Sequence, residues 1–301
     1  MPAQIKTVGF VGLGKMGTPM VRNLAAGGFQ VIGCDRDATR RARLETEENI
    51  HVTDVIADAA GADALILMLP SGAIVRDVLI GEGGAAGGVP EGGLVIDMSS
   101  SDPAVYEDIA PVLEGHCIDF VDAPVSGNIR GAAAASLTIM AGGSKPAIER
   151  AEPIFECLGE MLFWTGSLGT GQVMKALNNT VSAGALILTI EALLVARRAG
   201  LDPHLANSVL NTSTGRNNAT DRKIEPFVLS RQFNSGFDLA LMAKDLETAR
   251  SVTEARNVSM PLAARVIAMA AEASKALGPD ADHTEIARWL EERTGMSLDE
   301  K

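Results

Sequence analysis

Gly12-Leu13-Gly14-Lys15-Met16-Gly17 is the stretch of sequence that decides the fold. It follows the apolar run 7–11 and opens a helical pattern over 16–26, so its glycines lie in a turn between a strand and a helix. Asp35 ends the next apolar run, 30–34, and lies 18 residues after Gly17. A strand, a GxGxxG turn, a helix and an acid at the next strand end together form the dinucleotide-binding fingerprint.

The glycines of this turn suit the pyrophosphate of a dinucleotide. Gly12 makes the tight turn, Gly14 lets the backbone approach the phosphates, and Gly17 lets the helix pack closely on the strand. The helix N-terminus offers unpaired N–H groups and a positive dipole end to the phosphates. We therefore expect residues 12–17, including Leu13, Lys15 and Met16, to contact the cofactor; the alternative is a glycine-rich turn without a ligand.

The residues at the second strand end give opposite indications about the cofactor. Asp35 can accept hydrogen bonds from the ribose of NAD and would repel the 2′-phosphate of NADP. Arg36, with Arg40 and Arg41 nearby, would bind that phosphate. Because Asp35 lies at the strand tip, the sequence predicts a modest preference for NAD, with NADP as the alternative.

The composition excludes several classes of protein. The 301 residues predict two domains, and 47% apolar with 21% charged residues is typical of a soluble globular protein. Acidic residues outnumber basic ones by 38 to 26, a net charge of −12, and there is no basic stripe. We therefore expect neither nucleic acid nor a membrane surface as a partner.

The cysteines and histidines predict a reduced protein without a metal site. Cys34, Cys117 and Cys157 are widely spaced, and the four histidines do not cluster. Residues 1–6 show no signal-peptide pattern, and the most apolar stretch, 181–196, is shorter than a membrane span. These features predict a cytoplasmic location.

Strand and helix patterns alternate in the first half of the chain, and only helical patterns follow. This order predicts a Rossmann-type, doubly wound, mostly parallel sheet in residues 1–165 and an all-α domain in 166–301. A long interdomain helix over 172–198 begins the second domain, and a ligand cleft is expected where the two domains meet. The helix is apolar on most sides, which predicts that a partner subunit covers part of it.

The long helix carries one polar stripe, formed by Lys175, Asn178, Asn179 and Ser182 at the spacing i, i+3, i+4, i+7. A polar stripe on an apolar helix must find partners or face a cavity. A lysine in a cleft can take the proton of a substrate hydroxyl or return one to an alkoxide, while the asparagines orient it and bind a carboxylate. The alternative is a stripe that is solvated or bonded between domains.

Further polar residues follow predicted strand ends, where open α/β sheets bind ligands. Ser126, Gly127 and Asn128 could hold a carboxylate, with charge added by Arg130. Leu69-Pro70 and Ser99-Ser100 could line the nicotinamide end of the groove. An ordinary turn or strand-to-loop transition explains each of these segments as well.

These segments, in this order, resemble the β-hydroxyacid dehydrogenase family, whose activities include 3-hydroxyisobutyrate dehydrogenase and tartronate semialdehyde (2-hydroxy-3-oxopropionate) reductase. The resemblance covers essentially the whole chain, and several motifs together make it far more specific than one glycine turn. The matching segments are residues 9–17, 122–127, 137–140, 169–179 and 244–246.

The resemblance implies a role for most of the polar residues. Lys175 would be the catalytic acid/base of a hydride transfer between a small β-hydroxyacid and its aldehyde or keto acid. Ser126, Gly127 and Asn179 would bind the substrate carboxylate, and Lys244 would reach the nicotinamide. Leu69, Pro70 and Ser100 would touch NAD or NADP. The family also implies a homodimer or homotetramer.

The chain departs from the family pattern at two places. Asn128 stands where relatives usually have glycine, which predicts a narrower, more polar substrate pocket. Ala135-Ser136 stands where relatives often have Gly-Thr, and Arg216 is a possible second anion contact. Three alternatives are less compatible with the sequence. An imine reductase usually lacks a lysine at position 175, and a non-catalytic dinucleotide sensor needs no acid/base. The chain is too short for a relative of 6-phosphogluconate dehydrogenase.

Overall fold

The computed structural model describes residues 5–299. The chain forms two compact units, Met1–Lys175 and Ala176–Lys301. The division falls inside a helix that runs over Thr170–Arg198, ten residues beyond the predicted boundary at 165/166. The first turn of this helix therefore belongs to the same compact unit as the sheet.

One sheet organises the first unit. Its strands are β1 (Thr7–Val11), β2 (Gln30–Cys34), β3 (Ile50–Thr53), β4 (Ala64–Leu67), β5 (Leu94–Asp97), β6 (Asp119–Asp122), β7 (Val125–Ser126), β8 (Leu137–Gly142) and β9 (Gly159–Gly166). Their order is β3-β2-β1-β4-β5-β6-β8-β7, and β9 pairs with β8. The first six strands are parallel, whereas β8 is antiparallel to β6 and β7. The strand order reverses between β1 and β4, which is where such sheets bind dinucleotides.

Helices cover the sheet on both faces. They are α1 (Gly17–Ala26), α2 (Ala38–Arg41), α3 (Ile56–Ala60), α4 (Gly72–Ile80), α5 (Tyr106–Gly115), α6 (Asn128–Ala133) and α7 (Lys145–Glu156). Alternate residues of one strand join two separate cores: Ile66 packs in one, and its neighbours Leu65 and Leu67 pack in the other. All four residues of β4 are fully buried, as expected for a parallel strand covered on both faces.

The second unit is helical, as predicted. It contains the rest of α8 (Thr170–Arg198), then α9 (Pro203–Thr212), α10 (Asn218–Arg222), α11 (Leu239–Ala255), α12 (Pro261–Leu277) and α13 (Ile286–Thr294). Leu186, Ile190 and Leu193 of α8 are fully buried in its core. By length and composition alone α8 could cross a membrane, but half of its apolar window is buried within the protein.

Two details of the local structure were not predicted. Residues Ile224–Leu229, in the part of the chain predicted to be all α-helical, form a π-helical segment. Pro226 lies inside it and has no N–H to donate, which disfavours regular α-helical hydrogen bonding. The strands β3 and β7 were also not predicted. β3 mixes apolar and polar residues and none of them is fully buried, and β7 has only two residues.

Candidate active site

The glycine turn before α1 has the geometry that a dinucleotide needs. Gly12 has φ of +106°, and a Cβ on it would lie 2.3 Å from the Met68 carbonyl oxygen. A Cβ on Gly17 would lie 1.8 Å from the Gly12 carbonyl oxygen. Gly14 differs, because a Cβ there would meet nothing within 4 Å. The fold itself therefore requires Gly12 and Gly17, whereas the open space at Gly14 fits the pyrophosphate of NAD(P).

Asp35 is buried at the end of β2 and is tied to the glycine turn. Its Oδ2 accepts hydrogen bonds from the Leu13 N–H at 2.9 Å and from Arg40 Nη1 at 3.2 Å, and its Oδ1 accepts one from the Asp37 N–H at 2.9 Å. Leu13 has a fully buried side chain, so it acts here through its backbone. Arg36 is exposed at the next position.

The loops that follow β4 and β5 lie beside each other. The Leu69 N–H donates to Ser99 Oγ at 2.9 Å, and Ser100 comes directly after that residue. Leu69 and Ser100 are half-buried and Pro70 is exposed. The structure therefore brings three of the predicted cofactor residues to one edge of the sheet, next to the glycine turn that follows β1.

Two buried carboxylates lie at this edge of the sheet, and the sequence analysis assigned them no role. Asp97 and Asp122 are paired in register at the ends of β5 and β6, and both are fully buried. Asp97 accepts hydrogen bonds from the Ser99 N–H at 2.9 Å, from Ser101 Oγ at 2.8 Å and from the Tyr106 hydroxyl at 2.8 Å. The available signal was an acid at the end of each of two apolar strands.

Asp122 holds the first turn of α8. Its Oδ1 accepts a hydrogen bond from the Gly169 N–H at 2.6 Å, and its Oδ2 accepts one from the Gln172 N–H at 2.8 Å. A carboxylate is favourable there because the first N–H groups of a helix lack partners and carry partial positive charge. Burial raises the pKa of Asp122 to about 7, against the opposing effect of these two hydrogen bonds.

The side chain of Gln172 ties the same turn to the loop after β5. Its Nε2 donates to the Ser99 carbonyl at 2.8 Å and to the Tyr106 hydroxyl at 3.0 Å, and its Oε1 accepts from the Ser101 N–H at 3.0 Å. Ser100 lies between two residues that are fixed in this way. A Cβ on Gly171 would lie 2.7 Å from Asp122 Oδ2, so the contact leaves no space for a side chain.

Lys175 follows this anchored turn and reaches the predicted carboxylate loop. Its Nζ donates a hydrogen bond to the Val125 carbonyl oxygen at 2.7 Å. Val125 and Ser126 form β7, and Ser126 is half-buried. The predicted acid/base and the predicted carboxylate-binding serine are thus neighbours in the first unit.

Asn128 has a backbone role that the sequence did not reveal. Its φ is +53°, in the left-handed region that favours glycine and tolerates asparagine better than most residues. Its Oδ1 accepts a hydrogen bond from the Arg130 N–H at 2.8 Å, within the first turn of α6. Gly127 precedes it with φ of +139°. The expected contact between Asn128 and substrate stays a prediction. Ala135 also has a left-handed φ, of +53°.

In the second unit, Asp245 orients the asparagine pair of α8. Asn179 Nδ2 donates to Asp245 Oδ2 at 2.7 Å, and Asn179 Oδ1 accepts from Asn178 Nδ2 at 3.1 Å. Asp245 is buried, and its Oδ1 lies 3.1 Å from Lys244 Nζ. Asp245, which we did not predict as a site residue, thus fixes both Asn179 and Lys244. Arg216, which the sequence offered as a second anion contact, is exposed, and its Nη2 lies 3.5 Å from Asp221 Oδ2.

Comparison with known proteins places both parts of the chain in one group of enzymes. Residues 7–166 match the family model described as the NAD binding domain of 6-phosphogluconate dehydrogenase. Residues 169–290 match the model described as NAD-binding of NADP-dependent 3-hydroxyisobutyrate dehydrogenase.

Individual relatives agree with the family models. The chain is 32% identical over 292 residues to 2-(hydroxymethyl)glutarate dehydrogenase of Eubacterium barkeri, covering 97% of each chain. It is 37% identical to a probable mitochondrial 3-hydroxyisobutyrate dehydrogenase of Dictyostelium discoideum, covering 85% of this chain and 81% of the relative. The solved structure of Mycobacterium tuberculosis 3-hydroxyisobutyrate dehydrogenase with L-serine is similar at a TM-score of 0.88, with 30% identity over 95% of this chain and 99% of the other.

Proposed function

The chain belongs to the β-hydroxyacid dehydrogenase family of NAD(P)-dependent oxidoreductases, and from that premise we propose that Lys175 is the general acid/base for a small β-hydroxyacid. The observation that carries this proposal is the hydrogen bond from Lys175 Nζ to the Val125 carbonyl, at 2.7 Å. It holds the lysine beside Ser126, on a helix whose first turn is anchored by Asp122.

The proposed reaction moves a hydride and a proton, and Lys175 carries the proton. The nicotinamide, when bound, exchanges a hydride with the carbon that bears the hydroxyl. Lys175 as a neutral amine takes the hydroxyl proton during oxidation, and as an ammonium it returns a proton to the oxygen during reduction. The Val125 carbonyl oxygen accepts one N–H of Lys175 and so fixes the position of the amine nitrogen.

The substrate carboxylate needs donors near this lysine. In the first unit, Ser126 and the backbone N–H groups of Gly127 and Asn128 are the proposed donors. In the second unit, Asn179 and its neighbour Asn178 on α8 are the further proposed donors. The amide of Asn179 has two N–H groups and gives one to Asp245, so the other is the proposed carboxylate donor.

The alternatives of an imine reductase and of a non-catalytic sensor are not favoured. The relatives are hydroxyacid dehydrogenases over nearly the whole chain. A sensor requires the cofactor groove alone, and it would have no use for a lysine whose position is fixed by a helix anchor and a backbone carbonyl.

Replacement of Lys175 tests the acid/base role. We expect Lys175→Ala to lower kcat for hydroxyacid oxidation by about 10²- to 10⁴-fold, the usual value of general acid–base catalysis. The dissociation constant of NADH, measured by fluorescence titration, should stay within about threefold, because the glycine turn is untouched. Lys145→Ala, an exposed lysine at the start of α7, is the matched control. A Lys175→Ala enzyme with most of the wild-type turnover would contradict the role.

For the cofactor, we propose that NAD is preferred over NADP. The carboxylate of Asp35 remains at the strand tip, where it repels a 2′-phosphate. Two of the three nearby arginines are engaged with acids: Arg40 with Asp35 and Asp37, and Arg41 with Asp54. Their charge is therefore largely balanced before any cofactor binds, which leaves Arg36 as the remaining attraction for a phosphate.

Titration with both reduced cofactors tests this preference. NADH should bind more tightly than NADPH, and Asp35→Asn should narrow the difference, since it removes the repelling charge and keeps the size of the side chain. Asp108→Asn is the control, because Asp108 is an exposed acid paired with Arg76 and contacts none of these arginines. Tighter binding of NADPH by about tenfold or more to the wild-type protein would refute the proposal.

We also propose a cytoplasmic homodimer or homotetramer that binds neither nucleic acid nor membrane, in keeping with the net charge of −12. The support for assembly is a stripe on α8 at seven-residue spacing: Val181, Leu188 and Val195 are 73%, 68% and 70% exposed. A continuous row of exposed apolar side chains of this size marks an interaction surface in a soluble protein. A second copy of the chain would cover it.

Light scattering after gel filtration tests the assembly. The wild-type protein at about micromolar concentration should have at least twice the 31.4 kDa mass of one chain. Leu188→Glu should reduce the mass, because it places a charge in the apolar stripe. Leu262→Glu is the control, since Leu262 is 83% exposed and lies on α12, outside the stripe. A wild-type mass of 31.4 kDa would exclude the assembly.

A further inference from the structure

Lys223 is a second lysine in contact with the polar stripe of α8. It follows α10 and lies in the second unit, where its Nζ donates a hydrogen bond to Ser182 Oγ at 2.9 Å. Ser182 is the fourth member of the stripe, three residues after Asn179. Both Lys223 and Ser182 are half-buried, so a small ligand can still reach them.

No acid neutralises Lys223 within the described residues. No carboxylate oxygen in residues 5–299 lies within 4.0 Å of its Nζ. The negative charge of Asp282 acts on Lys223 from beyond this distance and raises its pKa. The carboxylate of Asp282 accepts hydrogen bonds from other donors, namely Ser235 Oγ, the Gly236 N–H and the Thr284 hydroxyl. Burial lowers the pKa of Lys223 to about 8, which leaves it mostly charged at neutral pH.

The surroundings of Lys223 also have unsatisfied or irregular features. His283, 4% exposed, has a buried Nε2 with no hydrogen-bond partner in the described part of the chain. Its pKa is lowered by burial and by the charge of Lys223. The π-helical segment Ile224–Leu229 begins at the next residue, and π-helical turns occur frequently at functional sites. A partly buried cation with no carboxylate within 4.0 Å in the described residues is, in such a place, a candidate for anion binding.

From this geometry we propose that Lys223 and Ser182 bind a second carboxylate of the substrate, so that the preferred substrate is a β-hydroxy diacid. The inference rests on the proposed function, in which Asn179 binds the first carboxylate. Side chains three residues apart on a helix lie about 5–6 Å from each other. The two carboxylates of a five-carbon diacid are separated by a similar distance, roughly 5 Å, given C–C bonds of about 1.5 Å.

Two substrates that differ in one group test this proposal. They are 2-(hydroxymethyl)glutarate and 2-(hydroxymethyl)pentanoate, in which a methyl group replaces the distal carboxylate. The wild-type enzyme should favour the diacid in kcat/KM by at least about tenfold, as expected for hydrogen bonds to a charged group. Lys223→Met should reduce the diacid-to-monoacid ratio by about 10- to 100-fold, and Ser182→Ala, a milder change, should reduce it several-fold.

The control and a binding measurement separate this inference from the proposed function. Lys275→Met, at an exposed lysine on α12, should leave the ratio at its wild-type value. Calorimetric titration with glutarate, which cannot react, should show binding that Lys223→Met weakens by about tenfold or more. If neither hydroxyacid is oxidised but glutarate binding still depends on Lys223, the proposed function fails and the anion site stands. Equal ratios and equal glutarate affinities in Lys223→Met and Lys275→Met would overturn the inference.

Discussion

The carboxylate of Asp122 holds the first turn of α8, and the position of Lys175, the proposed acid/base, depends on that contact. Both of its oxygens accept N–H groups of the helix start, from Gly169 and Gln172. One turn later Lys175 donates to the Val125 carbonyl, three residues after Asp122. Strand β6 and the loop behind it thus fix both the beginning of the helix and the end of the lysine side chain. This explains why the first compact unit extends to Lys175.

Burying two acids at one edge of the sheet costs free energy, and the hydrogen bonds to their carboxylates offset that cost. Asp97 and Asp122 face each other across β5 and β6, and burial raises the pKa of both. The charge of Asp97 raises the pKa of Asp122 further. Asp97 has three donors, and one of them, Tyr106, also accepts a hydrogen bond from Gln172. The acids therefore belong to one network, which joins the cofactor loop at Ser100 to the helix of Lys175.

Much of the fold followed from local patterns. The apolar runs predicted β1 and β2 at their observed limits, and the glycine turn and Asp35 lie where the fingerprint requires them. The comparisons confirm the resemblance to the family. The roles proposed for Lys175 and Ser126 came from that resemblance and stay predictions. Local patterns could not reveal the anchor of α8, because Asp122 and Gln172 are 50 residues apart in sequence. The contact of Lys223 with Ser182 spans 41 residues and was missed for the same reason.

Asp122→Asn tests the central claim, that the anchor of α8 positions Lys175, most directly. The amide keeps the size of the carboxylate but replaces one acceptor with a donor, so one of the two helix N–H groups loses its partner. In a variant shown by circular dichroism to be folded, kcat should fall by about tenfold or more, because small misplacements of a catalytic group are costly. The dissociation constant of NADH should change little. Asp108→Asn, in an exposed pair with Arg76, should behave as wild type, and a folded Asp122→Asn enzyme with wild-type kcat would contradict the account.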